Sequence, residues 1–200
     1  MRVKQFFGII ISSLFIVLIV LIYKNRTTTT TVLIQAGHEG RKVGNTGSIN
    51  GNIKEVDWNI ILADRIAKNL EKKGINFTRV GADIPYTNAK IAISIHFDGS
   101  NKKCSTGASI GYENYHHQAE KTAQHWKKIY QNYFPFKWHR DNYTKNLSNY
   151  YGFSKVNSEK GFLVLELGEI TCNRQVKWLK PKLNDIADMI SEFIMKELNG

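Results

Sequence analysis

The chain has 200 residues, 28 of them Lys or Arg and 17 Asp or Glu, for a formal net charge of +11. A hydrophobic fraction of 42% with 12% aromatics can build a packed core, which excludes a disordered or low-complexity chain. Two cysteines exclude a disulfide-framework miniprotein and a CxxC-type zinc module, and three prolines exclude a Pro-rich linker protein.

Phe6–Tyr23 (FFGIIISSLFIVLIVLIY) is uncharged over 18 residues. As a helix rising 1.5 Å per residue it spans roughly 27 Å, about the hydrocarbon thickness of a bilayer. Arg2 and Lys4 precede it, which keeps the N-terminus in the cytoplasm. A cleaved signal peptide is the rival reading, but its apolar region would be shorter and no A-x-A-like site follows. Residues 1–26 therefore read as an uncleaved signal anchor, and either reading exports the remainder. Thr27–Thr31 reads as a short spacer before the globular part, residues 32–200.

From Val32 onward strand-like and helix-like stretches alternate. Thr31–Ala36 (TVLIQA) is an apolar run stopped by Gly37. Glu55–Lys73 has Val56, Ile60, Ala63, Ala67 and Leu70 at helical spacing, with Gly74 as the C-cap. Ile75–Val80, Ile91–His96 and Gly161–Gly168 read as strands, with Ser109–Glu113 a further candidate. Ala119–Tyr133 reads as a helix ended by Pro135. Gln175–Leu198 is an amphipathic helix that Pro181 must break or restart. The pattern predicts an α/β fold, a mainly parallel open sheet flanked by helices on both faces, preceded by an N-terminal transmembrane helix.

In open α/β sheets functional residues collect at the carboxyl ends of the strands. His38 lies just beyond the first strand, His96 closes the Ile91 strand, and Glu166 sits late in the apolar strand FLVLELG. Glu55 opens the first long helix after a Gly/Asn-rich loop. Two imidazoles and a carboxylate form the donor set of hydrolytic zinc sites, which keep a position open for water. A second carboxylate is then needed to move protons. Glu166 is the candidate, because an ionised Glu in an apolar strand requires a compensating charge. Each residue also has a plainer reading: a His at a strand end is often structural, and an acidic residue in a first helical turn is favoured by the helix dipole.

The blocks VLIQAGHEG, KEVDWNIILA, FTRVGAD, ISIHFD and LVLELGEITCN, in this order and rough spacing, resemble the zinc-dependent N-acetylmuramoyl-L-alanine amidases of the type 3 family. The resemblance runs from Val32 to the C-terminus. It implies a Zn2+ cofactor held by His38, Glu55 and His96, with Glu166 as the catalytic acid–base. It also implies peptidoglycan as substrate, cut at the amide between N-acetylmuramic acid and L-alanine. The chain departs from the family pattern in places. The usual D-P-G-H-G-G is Gln35-Ala36-Gly37-His38-Glu39-Gly40 here, S-I-H-A-N is Ser94-Ile95-His96-Phe97-Asp98, and the aromatic after E-x-G is Glu169. The segment between Arg79 and Ile91 is short, so a helix present in many relatives is trimmed.

Arg79 is a candidate oxyanion or substrate donor. His116, His117, His125 and His139 read as surface residues rather than a second metal site. Cys104 and Cys172 could pair in an exported domain or stay apart. Tyr130–Tyr151, rich in Tyr, Trp, Lys and Asn, could stack on single-stranded nucleic acid. With an export signal, glycan strands and stem peptides fit it better, as does a solvated loop beside the cleft. The expected partners are peptidoglycan, anionic wall polymers and the membrane through the N-terminal helix, with no nucleic acid. The catalytic domain would face the periplasm or cell wall. Another zinc amidohydrolase or peptidase, or a tethered non-catalytic wall-binding protein, are the alternatives.

Overall fold

The computed structural model describes residues 27–200. The apolar segment Phe6–Tyr23 lies outside the described residues. Among the described residues no helix is long and apolar enough to cross a membrane.

Strand β1 (Thr28–Ala36) begins within the threonine run. It is followed by a two-rung hairpin, β2 (Ile49–Asn50) and β3 (Ile53–Lys54), and then by helix α1 (Glu55–Lys72). Strands β4 (Phe77–Val80), β5 (Thr87–Asp98) and β6 (Ala108–Gly111) precede helix α2 (His117–Tyr133) and the single turn α3 (Lys145–Ser148). The chain ends with β7 (Val156–Ser158), β8 (Phe162–Glu169), α4 (Asn173–Leu179) and α5 (Leu183–Asn199). A 3-10 turn at Lys180–Lys182 separates the last two helices, at the proline that predicted the break.

The main sheet runs β4-β1-β5-β8-β6, with β7 beside the first residues of β5. All neighbours are parallel except β6 against β8. From β1 the chain moves outward to β4 and then returns to the other side of β1 as β5. The order therefore reverses between β1 and β5, and a crevice opens at their carboxyl ends.

The threonines read as a spacer are part of the sheet: Thr28, Thr29 and Thr30 pair with Thr87, Asn88 and Ala89. Threonine is β-branched and suits a pleated surface, so a polar run extends the apolar strand. The early residues of β5 join the strand because Thr87, Asn88 and Ala89 are paired on both sides, by β1 and by β7.

Alternation along the strands divides the interior in two. Val32, Ile34, Ala36, Ile91, Ile93, Ile95, Leu163, Leu165 and Leu167 point to one face, where α1, α2, α4 and α5 bury Leu62, Ile66, Trp126, Tyr130, Leu179, Ile190 and Phe193 against them. The opposite face carries Leu33, Ala92 and Phe162, covered by Ile84, Tyr150, Phe153 and Val156. The expectation of helices on both faces is corrected here: the long helices share one face. Gly81–Tyr86, between β4 and β5, holds no helix. The aromatic segment following α3 folds over the face left open.

Candidate active site

The first candidate residue follows β1. His38 takes a left-handed backbone (φ 66°), rare for a residue with a Cβ, which turns its ring back over the sheet edge. Its Nδ1 lies 3.0 Å from the Asn45 carbonyl. A carbonyl can only accept, so Nδ1 carries the proton and Nε2 presents its lone pair to the crevice.

Glu55 is the first residue of α1, where the helix dipole favours an anion. Its carboxylate accepts from the backbone N–H of Ser48 at 2.8 Å and of Phe97 at 3.2 Å. Asn59, one turn along, donates to the Gly37 carbonyl at 3.1 Å and stiffens the same corner. His96 lies near the end of β5, its ring lying directly on Gly37, where a Cβ would overlap it.

Three atoms converge. His38 Nε2 is 3.0 Å from Glu55 Oε1, His96 Nδ1 is 3.1 Å from the same oxygen, and the two nitrogens are 3.2 Å apart. All three residues are buried, at 7%, 3% and 7% exposure. The group offers one ligand atom per residue with the spacing of a metal site. Donors on a tetrahedral ion with bonds of about 2.0 Å stand about 3.3 Å apart, which this triangle fits.

Burial disfavours a charged His38, but the hydrogen bond and charge of Glu55 outweigh it and raise its pKa. Burial dominates at His96 and lowers its pKa despite the same carboxylate. Burial opposes ionisation of Glu55, yet the two imidazoles bonded to it hold its carboxyl well below the usual range. The corner thus sets an ionised carboxylate against two imidazole nitrogens at ligand spacing, a donor set that suits a divalent cation.

Glu166 pairs in register with His96 on the neighbouring strand, and so projects from the same face of the sheet. Its Oε2 is buried without a hydrogen-bond partner. Burial, then the charges of Glu55 and Asp98, push its pKa well above the usual value. Such an orphaned oxygen is costly unless an electropositive group or a reacting proton uses it.

Glu166 lines a cleft of about 390 Å³ together with His38, Glu55 and His96. Arg41, Asn149, Tyr150 and Tyr151 form much of the opposite wall. Arg79 does not line this cleft; Glu39 and Asp64 hold its guanidinium, the latter at 2.8 Å. The cation in the wall is instead Arg41, seated 5.3 Å over the Tyr151 ring.

Sequence reasoning missed Gln35, Tyr150 and Asp98. Parity along β1 and β5 could have found Gln35 and Ser94, polar residues inside apolar strands. Nothing local marks Tyr150, which comes from an irregular segment. His139, expected at the surface, is buried and bonds Thr106 at 2.9 Å. His116 caps α2, and His125 pairs with Glu197. Cys104 and Cys172 form a disulfide with their Cα atoms 4.6 Å apart.

A family model described as N-acetylmuramoyl-L-alanine amidase matches residues 32–196. No curated protein sequence matches the chain. Solved structures agree in fold. An N-acetylmuramoyl-L-alanine amidase from Clostridium difficile 630 is 20% identical, with 87% of this chain and 98% of that one covered and a TM-score of 0.64. The catalytic domain of CwlV, an N-acetylmuramoyl-L-alanine amidase from Bacillus (Paenibacillus) polymyxa var. colistinus, is 17% identical over 86% and 99%, with a TM-score of 0.64. The CwlD amidase from Clostridioides difficile, solved in complex with the GerS lipoprotein, is 15% identical over 85% and 98%, with a TM-score of 0.65.

Proposed function

Because the chain belongs to the N-acetylmuramoyl-L-alanine amidase family, we propose that it hydrolyses the amide joining N-acetylmuramic acid to L-alanine in peptidoglycan, using Zn2+ held by His38, Glu55 and His96. The observation that carries this reading is the 3.0–3.2 Å triangle of donor atoms beside the unpartnered Glu166 oxygen.

When bound, a zinc ion supplies positive charge that polarises a carbonyl and makes water a better nucleophile at neutral pH. The protein does the rest. His38 and His96 offer lone pairs fixed by what their other ring nitrogens touch, Asn45 and Tyr150. Glu55 supplies the negative charge, its second oxygen tied to Ser48 N–H. Glu166 takes the proton from the attacking water and delivers it to the departing amine nitrogen. Its raised affinity for a proton suits the delivery step.

The tether is proposed from sequence alone. Phe6–Tyr23, with basic residues on both sides and no cleavage site, would anchor the chain in the cytoplasmic membrane, with the catalytic domain facing the periplasm or wall. The Cys104–Cys172 disulfide supports an oxidising compartment. Peptidoglycan and anionic wall polymers are then the partners within reach.

The test pairs metal analysis with product analysis on purified peptidoglycan. One zinc per chain and release of stem peptides beginning at L-alanine, with glycan left intact, is the expected result. Cleavage inside the peptide would mean a peptidase. Absence of both metal and release would mean a wall-binding protein without catalysis.

A further inference from the structure

The second ring nitrogen of His96 touches a side chain whose own orientation is set well away from the donor triangle. His96 Nε2 lies 3.2 Å from the Tyr150 hydroxyl, at the end of a polar chain crossing the sheet face opposite the helices. The direction of each hydrogen bond in that chain can be worked out from fixed backbone groups.

The Tyr151 hydroxyl donates to the Ala82 carbonyl at 2.7 Å. Having spent its proton, it accepts from Gln35 Nε2, also at 2.7 Å. The other amide proton goes to the Gly81 carbonyl at 3.2 Å. The Gln35 amide is thereby fixed, and its Oε1 faces the site. That oxygen receives the Ser94 hydroxyl at 2.6 Å and the Tyr150 hydroxyl at 2.7 Å. Ser94 Oγ and the Tyr150 oxygen are themselves 3.2 Å apart. With its proton drawn to Gln35, the Tyr150 oxygen faces His96 with lone pairs only. The 3.2 Å contact is then a hydrogen bond when His96 carries its proton on Nε2, and Nδ1 is left to offer a lone pair beside Glu55 and His38.

We propose that Tyr150 is a positioning residue for the metal site: through Gln35 it presents a hydrogen-bond acceptor that fixes His96 in the tautomer and orientation needed to ligate through Nδ1. Its ring is held for this by edge-to-face contacts with His96, Phe153 and Phe162, at centroid distances of 5.8, 5.9 and 5.8 Å. The chain of bonds ends on the Gly81 and Ala82 carbonyls in the β4–β5 connection, and it ties Gln35 of β1 to a side chain 115 positions away.

The inference rests on the zinc reading, and the test separates the two. Zinc affinity is measured by competition with a chromophoric chelator for the wild-type protein, Tyr150→Phe and Gln35→Leu, with thermal unfolding of the zinc-free proteins as a check on folding. Partners one step beyond a ligand typically change metal affinity 10–100-fold. Tyr150→Phe is expected to weaken zinc binding by about 10-fold or more at unchanged folding. Gln35→Leu, which frees the tyrosine proton, is expected to weaken it in the same direction. In the zinc-loaded protein a slowly exchanging His96 Nε2–H signal is expected in long-range 1H–15N spectra, lost in Tyr150→Phe. A wild-type protein that takes up no zinc would overturn the zinc reading and this inference with it. Wild-type zinc uptake with affinity and Nε2–H signal unchanged in both variants would overturn this inference alone.

Discussion

Glu166 is a carboxyl group in a position chosen against its own solvation. It pairs in register with His96, and one oxygen has no partner. Replacing it with Gln keeps the shape and removes the ionisable proton. Glu166→Gln is expected to retain zinc and lose about 10²–10⁴-fold in turnover, as general acid–base groups commonly contribute; wall digestion at the wild-type rate would remove Glu166 from the mechanism. The same substitution has a signature in the zinc-free protein. Burial, with Glu55 and Asp98, raises the folded-state pKa above the usual 4.5. Below that pH both folded and unfolded chains hold the proton. As pH rises the unfolded chain releases it while the folded one does not, so wild-type stability falls until the folded pKa is passed. Urea unfolding from pH 4 upward should show Glu166→Gln gaining on wild type as pH increases. A constant difference would mean that the carboxyl is not desolvated. Gly37 makes the complementary case. A methyl group there would overlap the His96 ring, which is already fixed on its other sides. Gly37→Ala is expected to abolish tight zinc binding and to cost about 1–3 kcal/mol of stability, typical of overpacking, read by chelator competition and denaturant unfolding.

At the level of elements, what could be read in advance was what short-range pattern encodes. The apolar runs at Val32, Ile91 and Phe162 became the three central strands, and the 3.6-residue spacing after Glu55 became α1. Strand ends then placed His38, His96 and Glu166 together, because parallel strands share one carboxyl edge. The readings that failed depended on partners. Polythreonine looked like a spacer because it is polar, yet pairing with β5 makes it a strand. Helices were expected on both faces because α/β sheets usually have them, yet the short Arg79–Ile91 connection leaves that face to an irregular aromatic segment. Tyr150 has no signature there, since its role depends on contacts with β1 and β5. The disulfide was likewise undecidable until geometry joined the loop before β6 to the exit of β8. That loop also hangs on Glu169, which accepts from Cys104 N–H and Thr106 N–H at 2.7 and 2.8 Å. The bridge spans 68 positions, for which chain entropy gives a stabilisation of about 4 kcal/mol. Replacing both cysteines with serine should lower the unfolding free energy by an amount of that order. A change under about 1 kcal/mol would show that the Glu169 bonds hold the loop without it.

For the whole molecule the charge of +11 understates how cationic the surface is. Removing the four basic residues of the first 26 leaves 24 cations against 17 anions from Thr27 onward, and several of those anions are buried or already paired. Glu55, Glu169 and Glu197 are buried, and Glu166 sits at the cleft floor. Asp188 is paired with Arg65, Asp141 with Lys127, and Glu39 and Asp64 with Arg79. Exposed lysines meanwhile flank the cleft, among them Lys42 and Lys145 on the segments that supply Arg41 and Thr144 to its wall. Such a surface gathers an anionic polymer at long range, whereas the donor triangle acts at contact. Salt separates the two effects. Raising ionic strength from 0.1 to 1 M shortens the screening length from about 10 Å to about 3 Å, while buried interactions are screened far less. Adsorption to anionic wall fragments should therefore weaken by about an order of magnitude. Turnover of bound substrate should hold nearly constant, so that salt acts on KM rather than kcat. Sedimentation with wall fragments, run beside a soluble muropeptide assay over the same salt series, measures both. Adsorption indifferent to salt would show that the cations play no part in reaching the wall, and that capture is left to the cleft itself.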